Sequence, residues 1–410
     1  MDTFSVLNYQ GSKKALLNFI HKNISGIIDE NSTILDIFSG TCSVGYSLKS
    51  TNRIFANDSE YYSFIIAKAL LSSNYIGFSD IVNKIEYFYL KNISKQREIY
   101  SELNKQEYLL IASQNIQGLI ELYQILPTIW NGKVDFLEQH KCYELFTTYY
   151  SGTYFGIAQS IDIDSIRFAI EEFRGTNIFY ALLTSLFYAM KECVFSKDGH
   201  MAQPLDPLKN SRKLLVLRQK NIFKLFIDKF SEFFNESFIN STKDNRIFNL
   251  DFEDLIKQPV IAQEVDFIYA DPPYTDMQYS RYYHLLNVVS AYNYLKPSIN
   301  NGNYTKGLYV EGRYQSKLSK KSSCLQEFSK LIKFTQETRK NIAISFAYPI
   351  DIDKQKTDRY VMDINGIINS CKNEFKSKNV KVISQNYQHS NNRNSEQKKV
   401  LEYLIICKGK

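Results

Sequence analysis

The chain predicts an α/β fold: an open, mostly parallel sheet interrupted by a large, mostly helical insertion. Three observations carry that expectation. Short apolar runs of strand length recur in the first 60 residues and again from about 245 onward. Between them lie long apolar-periodic runs such as FYALLTSLFYAM and IFKLFIDKFSEFF, with many lysines and no sharp Gly/Pro linker. Hydrophobic residues make up 44% of 410, enough for a real core in two domains or in one domain with an insertion.

The stretch that organises the rest is VDFIYADPPY. Val265 to Ala270 reads as a buried strand, and Pro272 and Pro273 stop it, since neither can donate a ladder hydrogen bond. The stiff turn falls at a strand's carboxyl end, where open α/β sheets keep their ligand sites. It offers the Asp271 carboxylate, the Pro272 carbonyl and the Tyr274 ring. Two acceptors side by side can take both hydrogens of an exocyclic amine, and Tyr274 can stack on the base that carries it. An ordinary strand-to-loop turn with a surface Asp is the bland alternative.

From the beginning of the chain, Tyr9, Gly11, Ser12 and Lys13 form a polar turn before an amphipathic helix, a place where a carboxylate or phosphate can sit. Ile34 to Phe38 reads as a buried strand, Ser39-Gly40-Thr41 as a tight turn, and Val44 to Leu48 as the start of a helix. That is the plan by which a nucleoside approaches backbone closely. Asp36 can reach a positively charged amine. A second strand, Arg53 to Ala56, ends at Asn57 and Asp58. An acid about 20 residues past the glycine turn is placed to grip a ribose diol, and it equally suits a helix N-cap.

Tyr149 to Gly156 and Lys197 to Lys213 read as surface loops, the latter basic enough to meet a phosphate backbone. Asn245 to Ile256 resumes the sheet with a third strand ending at Asp251 and Phe252, a carboxylate and ring suited to an adenine. The polar first half of Thr275 to Val289 can fold over a substrate, with Arg281 a candidate phosphate contact. Gly302 to Ser323 interleaves cations with tyrosines, as a nucleic-acid groove does. Asn341 to Pro349 is a fifth strand. VKVISQNYQH and VLEYLIICK form a closing hairpin, which brings the strand total to seven.

The net charge of +7 and 30 Tyr and 28 Phe permit a polyanionic partner without requiring one. Six scattered cysteines (Cys42, Cys142, Cys193, Cys324, Cys371, Cys407) form no Cys-x-x-Cys pair. That argues against a zinc site or a disulfide framework, so no metal is expected. Without a signal peptide or a long apolar run the chain reads as soluble and cytoplasmic, with no membrane partner.

YQGSK, DIFSGTCSVG, AND and DPPY occur in that order. In this the chain resembles the Dam-like, alpha-class N6-adenine DNA methyltransferases, at its two ends rather than in its middle. The resemblance implies a Rossmann-like seven-stranded methyltransferase sheet formed by residues 1–80 and 245–410. Residues 81–244 would be a helical insertion that reads DNA sequence. It implies S-adenosylmethionine as cofactor, with Tyr9, Gly11, Ser12, Lys13, Asp36, Phe38, Ser39 and Gly40 around its methionine part. Asp58 would hold the ribose, Asp251 and Phe252 the adenine ring. Asp271, Pro272, Pro273 and Tyr274 would hold a flipped target base. DNA is the implied substrate and a cognate restriction endonuclease the candidate partner. The family usually has a second glycine where this chain has Cys42, whose Cβ narrows the approach; Gly45 is expected to restore room. The rival readings are an N4-cytosine or RNA adenine methyltransferase, or a catalytically silent DNA-binding relative. In the first the turn more often opens with Ser or Asn.

Overall fold

The computed structural model describes residues 4–7, 11–72, 75–130, 143–197, 199–349, 360–389 and 398–409. Seven strands form one sheet: β1 (Thr33–Asp36), β2 (Arg53–Asn57), β3 (Arg246–Phe248), β4 (Phe267–Ala270), β5 (Asn341–Pro349), β6 (Val380–His389) and β7 (Lys398–Cys407). Their order is β3-β2-β1-β4-β5-β7-β6. The first five are mutually parallel, and β7 lies antiparallel between β5 and β6.

The parallel strands read as continuous apolar runs because both faces are covered. Successive residues point to opposite faces. Ile34, Ile54, Phe267, Tyr269 and Ala343 pack into one hydrophobic cluster; Leu35, Phe55, Ile268, Ile342 and Ile344 pack into another. The second face is covered by the helices Pro259–Glu264, Cys324–Glu337 and Ile364–Phe375. The first face is covered by Leu17–Ile24 and Tyr61–Leu71, and beyond them by the helices between β2 and β3. The same hydrophobic cluster runs unbroken from Ile34 and Ile54 to Ile161, Leu182 and Phe187. Among the described residues no helix is long and apolar enough to cross a membrane.

Two sequence expectations are corrected. The third strand stops at Phe248, not at Asp251 and Phe252. Asp251 instead N-caps the short helix Phe252–Leu255, its carboxylate accepting the Glu253 N–H at 3.0 Å. The segment Tyr149 to Gly156 is no surface loop: Tyr150, Tyr154 and Phe155 are fully buried. The Tyr154 hydroxyl reaches the carbonyls of Met201 and Gly307, both at 3.0 Å, so its one polar atom is satisfied inside and the ring can be buried.

Polar anchors hold the helical region in register. The helix Ile157–Ile170 starts against Glu107 of the helix Ser101–Ala112. One Glu107 oxygen accepts the Ile157 N–H at 2.7 Å and the Tyr123 hydroxyl at 2.6 Å; the other accepts the Ala158 N–H at 2.9 Å. A buried carboxylate with three donors thus caps a helix from outside its own chain segment. Glu107→Ala would leave those donors unpaired in the interior. The expected loss is about 2–4 kcal/mol in urea unfolding followed by circular dichroism. A loss below about 0.5 kcal/mol, the level of a neutral surface change, would contradict this anchoring.

Candidate active site

The order of strands reverses between β1 and β4, and the crevice at that switch point, outside the carboxyl ends, is where such sheets bind ligands. Parallel register sets Asp36 beside Ala56 and Tyr269. Asp58 and Asp271 therefore emerge two residues beyond their strand neighbours, on the same edge. Asn57 fixes the turns that follow: its amide donates to the carbonyls of Ile37 (3.2 Å) and Leu250 (3.1 Å), and its carbonyl oxygen accepts the Leu250 N–H at 3.1 Å.

The result is an open cleft along that edge of the sheet. Gly11, Ser12, Lys13, Asp36, Phe38, Ser39, Gly40, Asp58, Phe252 and all of Asp271 to Tyr274 line it. Tyr9 lies outside the described residues. Asp251 does not line the cleft; besides its capping bond it accepts the hydroxyl of Tyr314, which does. Leu250 and Phe252 reach the wall on either side of it.

Lys13, 5% exposed, sits between two carboxylates: 3.1 Å from Asp271 Oδ1 and 2.8 Å from Glu402 Oε1. Glu402, 1% exposed on β7, also accepts the Ser345 hydroxyl at 2.6 Å. Burial alone would lower the Lys13 pKa, but Asp271 and Glu402 outweigh it and hold the ammonium well above its ordinary range. One cation shared by two buried carboxylates leaves an excess negative charge. Burial, with Glu402 adding to it against the pull of Lys13, pushes Asp271 up to about 7. Lys13 holds Oδ1, and the Asp271 side chain as a whole stays 17% exposed on the cleft. The hydroxyls of Ser39 and Ser280, both on the cleft, are buried without partners.

Other acids share this wall. Burial pushes Asp36 up to about 7, Asp58 to about 6 and Glu60 to about 7. Asp58 accepts the Gly40 N–H and the Glu60 N–H, each at 2.9 Å; the N-cap expectation for it is corrected, because the helix Tyr61–Leu71 takes Glu60 as its N-cap, without a side-chain cap bond. Asp36 accepts the Gly45 N–H at 3.3 Å. Cys42 does not narrow the cleft. It takes a left-handed conformation (φ 56°), and its side chain is buried in the hydrophobic cluster rather than on the lining. Gly45 makes room for that sulfur: a Cβ there would meet Cys42 Sγ and Ile54 Cγ2 at 3.1 Å. Its smallness serves Cys42, not a ligand.

On the other wall, Gly11 (φ 84°) passes so close that a Cβ would lie 2.7 Å from the Tyr274 hydroxyl. Tyr274 is 9% exposed; it packs edge-on to Phe346, with the Lys13 ammonium 5.3 Å from its ring centre. Phe38 and Phe252 meet edge-to-face at 5.8 Å, two apolar rings on the lining. Among the described residues no group of three or more His, Cys, Asp or Glu could hold a metal ion.

Sequence reading did not single out Glu402, Glu60, Tyr279, Ser280 or Tyr314 as site residues. A glutamate inside the apolar run VLEYLIIC was the available signal for Glu402. The others reach the cleft through tertiary packing and carry no motif.

The sequence profile of the D12 class N6 adenine-specific DNA methyltransferases matches residues 9–307. The modification methylase LlaI of Lactococcus lactis subsp. lactis is 26% identical over 98% of this chain and 55% of its own length. The type II methyltransferase M.NlaIII of Neisseria lactamica is 25% identical over 80% of each chain. The type II methyltransferase M.FokI of Planomicrobium okeanokoites is 25% identical over 70% of this chain and 37% of its own length. The chain thus spans about half the length of the Lactococcus relative and less of M.FokI. With the profile covering well over half its length, from the N-terminal turn through the DPPY stretch, the chain belongs to the D12 class N6 adenine-specific DNA methyltransferase family.

Proposed function

We propose that this chain transfers a methyl group from S-adenosylmethionine to N6 of an adenine in DNA, as the modification enzyme of a cytoplasmic restriction-modification pair. The observation that carries the reading is the Asp271 carboxylate, anchored by Lys13 and still partly exposed, on the same cleft as Gly40 and Asp58.

The cleft suits that cofactor on chemical grounds. Asp36, Asp58 and Glu60, all raised by burial and none paired with a lysine or arginine among the described residues, favour a cationic guest. Asp58 keeps lone pairs free for a ribose diol beyond its two backbone donors. Phe38 and Phe252 offer ring faces to an adenine, while Gly11, Ser12 and Lys13 close the opposite end. When bound, S-adenosylmethionine supplies an electrophilic methyl group on a sulfonium that leaves readily.

The residues of the chain then do the rest. A base extruded from the duplex, at a cost of a few kcal/mol, meets the Asp271 carboxylate and the Pro272 carbonyl. Both accept hydrogens from its N6 amine, which turns the nitrogen lone pair out of conjugation with the ring. The two prolines fix these acceptors in place, and pre-set geometry of this kind is worth roughly 7–11 kcal/mol of barrier in favourable cases. Lys13, held by Glu402, keeps Asp271 facing the cleft. An Asp271 carboxyl near 7 is also a competent acceptor for the proton that the methylated amine must shed. Tyr274 offers a ring edge to the base. Residues 1–80 and 245–410 would form the catalytic part, and 81–244 the part that reads the DNA sequence. The family membership and the modification-methylase names of the relatives support DNA adenine over cytosine or RNA.

Asp271→Ala is expected to cut methyl transfer to DNA by at least about 10²–10³-fold, while binding of S-adenosylmethionine changes little. Transfer from methyl-labelled cofactor, followed by digestion to nucleosides, measures both the rate and the product. N6-methyladenine is the expected product; N4-methylcytosine, or wild-type rates in the variant, would contradict the reading.

A second expectation follows from the raised carboxyls. Below about pH 6 they are mostly protonated and neutral; above about pH 7 they are charged and attract the sulfonium. Affinity for S-adenosylmethionine, measured by calorimetry, should therefore rise from pH 5.5 to about 8 and then level. A profile flat across that window would count against the acidic wall as the cation site.

A further inference from the structure

We propose that Arg281 and Arg313 form a clamp for one phosphodiester group of the DNA strand, at the mouth of the cleft. The inference rests on the cleft being the place of the target base, and it names how the strand bearing that base is held. Arg281 directly follows Ser280, and Arg313 directly precedes Tyr314; both of those neighbours line the cleft. The two guanidiniums converge on a single residue. Arg281 donates to the Tyr309 hydroxyl from Nε (3.4 Å) and Nη2 (3.2 Å), and Arg313 stacks 4.5 Å from the Tyr309 ring centre. The Tyr309 hydroxyl donates its own hydrogen bond to the Ala202 carbonyl, so it stays neutral and positions Arg281 without neutralising it.

Among the described residues neither arginine is in an ion pair with a carboxylate. Glu60 acts on Arg313 through space without forming an ion pair with it, and accepts the Asn287 amide at 2.8 Å. His284, 1% exposed and edge-on to Tyr309, adds no charge: burial, with the two arginines assisting, pushes it down to about 3. Two guanidiniums held together without a paired carboxylate call for an anion. Arg313 Nη1 and Ser280 Oγ are buried and have no hydrogen-bond partner, so donors are left over to receive one. Forked guanidiniums match phosphate oxygens two at a time. A base that enters the cleft leaves its own phosphate at the rim, beside these side chains. The cofactor's carboxylate is the other anion within reach, and the test separates the two.

The experiment measures binding of a fluorescent duplex to the full chain between about 50 and 200 mM salt. Three proteins are compared: wild type, Arg281→Gln/Arg313→Gln, and Arg281→Lys/Arg313→Lys. The Gln pair should lower the slope of log affinity against log salt by about 1, with affinity about tenfold weaker at 0.1 M. The Lys pair should keep the wild-type slope. Should the Gln pair fail to fold, Arg313→Gln alone decides, since it leaves the Arg281–Tyr309 bonds intact; its slope should fall by about half as much. An unchanged slope overturns the clamp. So does a loss of S-adenosylmethionine affinity with DNA binding intact, which would assign the anion to the cofactor. The readout is affinity. A chain that shows the expected slopes but methylates no adenine would support the clamp while contradicting the role given to Asp271.

Discussion

The Lys13 ammonium, shared by Asp271 and Glu402, is the contact on which the site depends. It joins the N-terminal turn, the end of β4 and the middle of β7, three segments hundreds of residues apart in sequence. A lone buried carboxylate at Asp271 would turn to solvent or to the nearest backbone donor. A single Lys–Asp pair would be neutral and would satisfy that acid. With Glu402 as a second claimant, itself fixed by Ser345, the lysine is divided between them. Asp271 then stays in the cleft with an oxygen unspent.

The same logic of incomplete satisfaction marks the rest of the cleft. Native interiors pair most of their buried polar atoms, and the buried carboxylates of the helical region follow that rule. Asp164 accepts the backbone N–H groups of Phe146 and Thr147 and the hydroxyls of Thr147 and Tyr292. Glu107 is as fully used. In the cleft, by contrast, Asp36, Asp58, Glu60 and Asp271 share one wall with a single buried lysine, Lys13, among them, and burial raises all four.

Much of this was legible in the sequence because the informative features are local. DPPY announces its own turn through two prolines, and DIFSG and AND place a strand end and an acid within a few residues of each other. What could not be read arises from packing across long separations. Glu402 reaches Lys13 only through the antiparallel return of β7 beside β5. Tyr149 to Gly156 looked like a loop because its glycines and polar residues are loop-like; carbonyls of Met201 and Gly307, far along the chain, make its burial possible. Asp251 sits in a helix cap because β3 ends three residues earlier than its apolar pattern suggested. Cys42 looked like an obstruction because the direction of a left-handed residue's side chain cannot be read from its position in a motif. Gly45 proves to be the companion of that sulfur.

The central claim is that donor and acceptor meet in one cleft at the β1/β4 switch point, with Asp271 holding the reacting amine. The most direct test is a crystal structure of the full chain with S-adenosylhomocysteine and a substrate duplex. The account requires an adenine out of the helix, its N6 within hydrogen-bond distance, about 2.7–3.2 Å, of both the Asp271 carboxylate and the Pro272 carbonyl oxygen. The cofactor product should lie between Phe38 and Asp58. A base bound elsewhere, or a cofactor product seated away from Gly40 and Asp58, would contradict it.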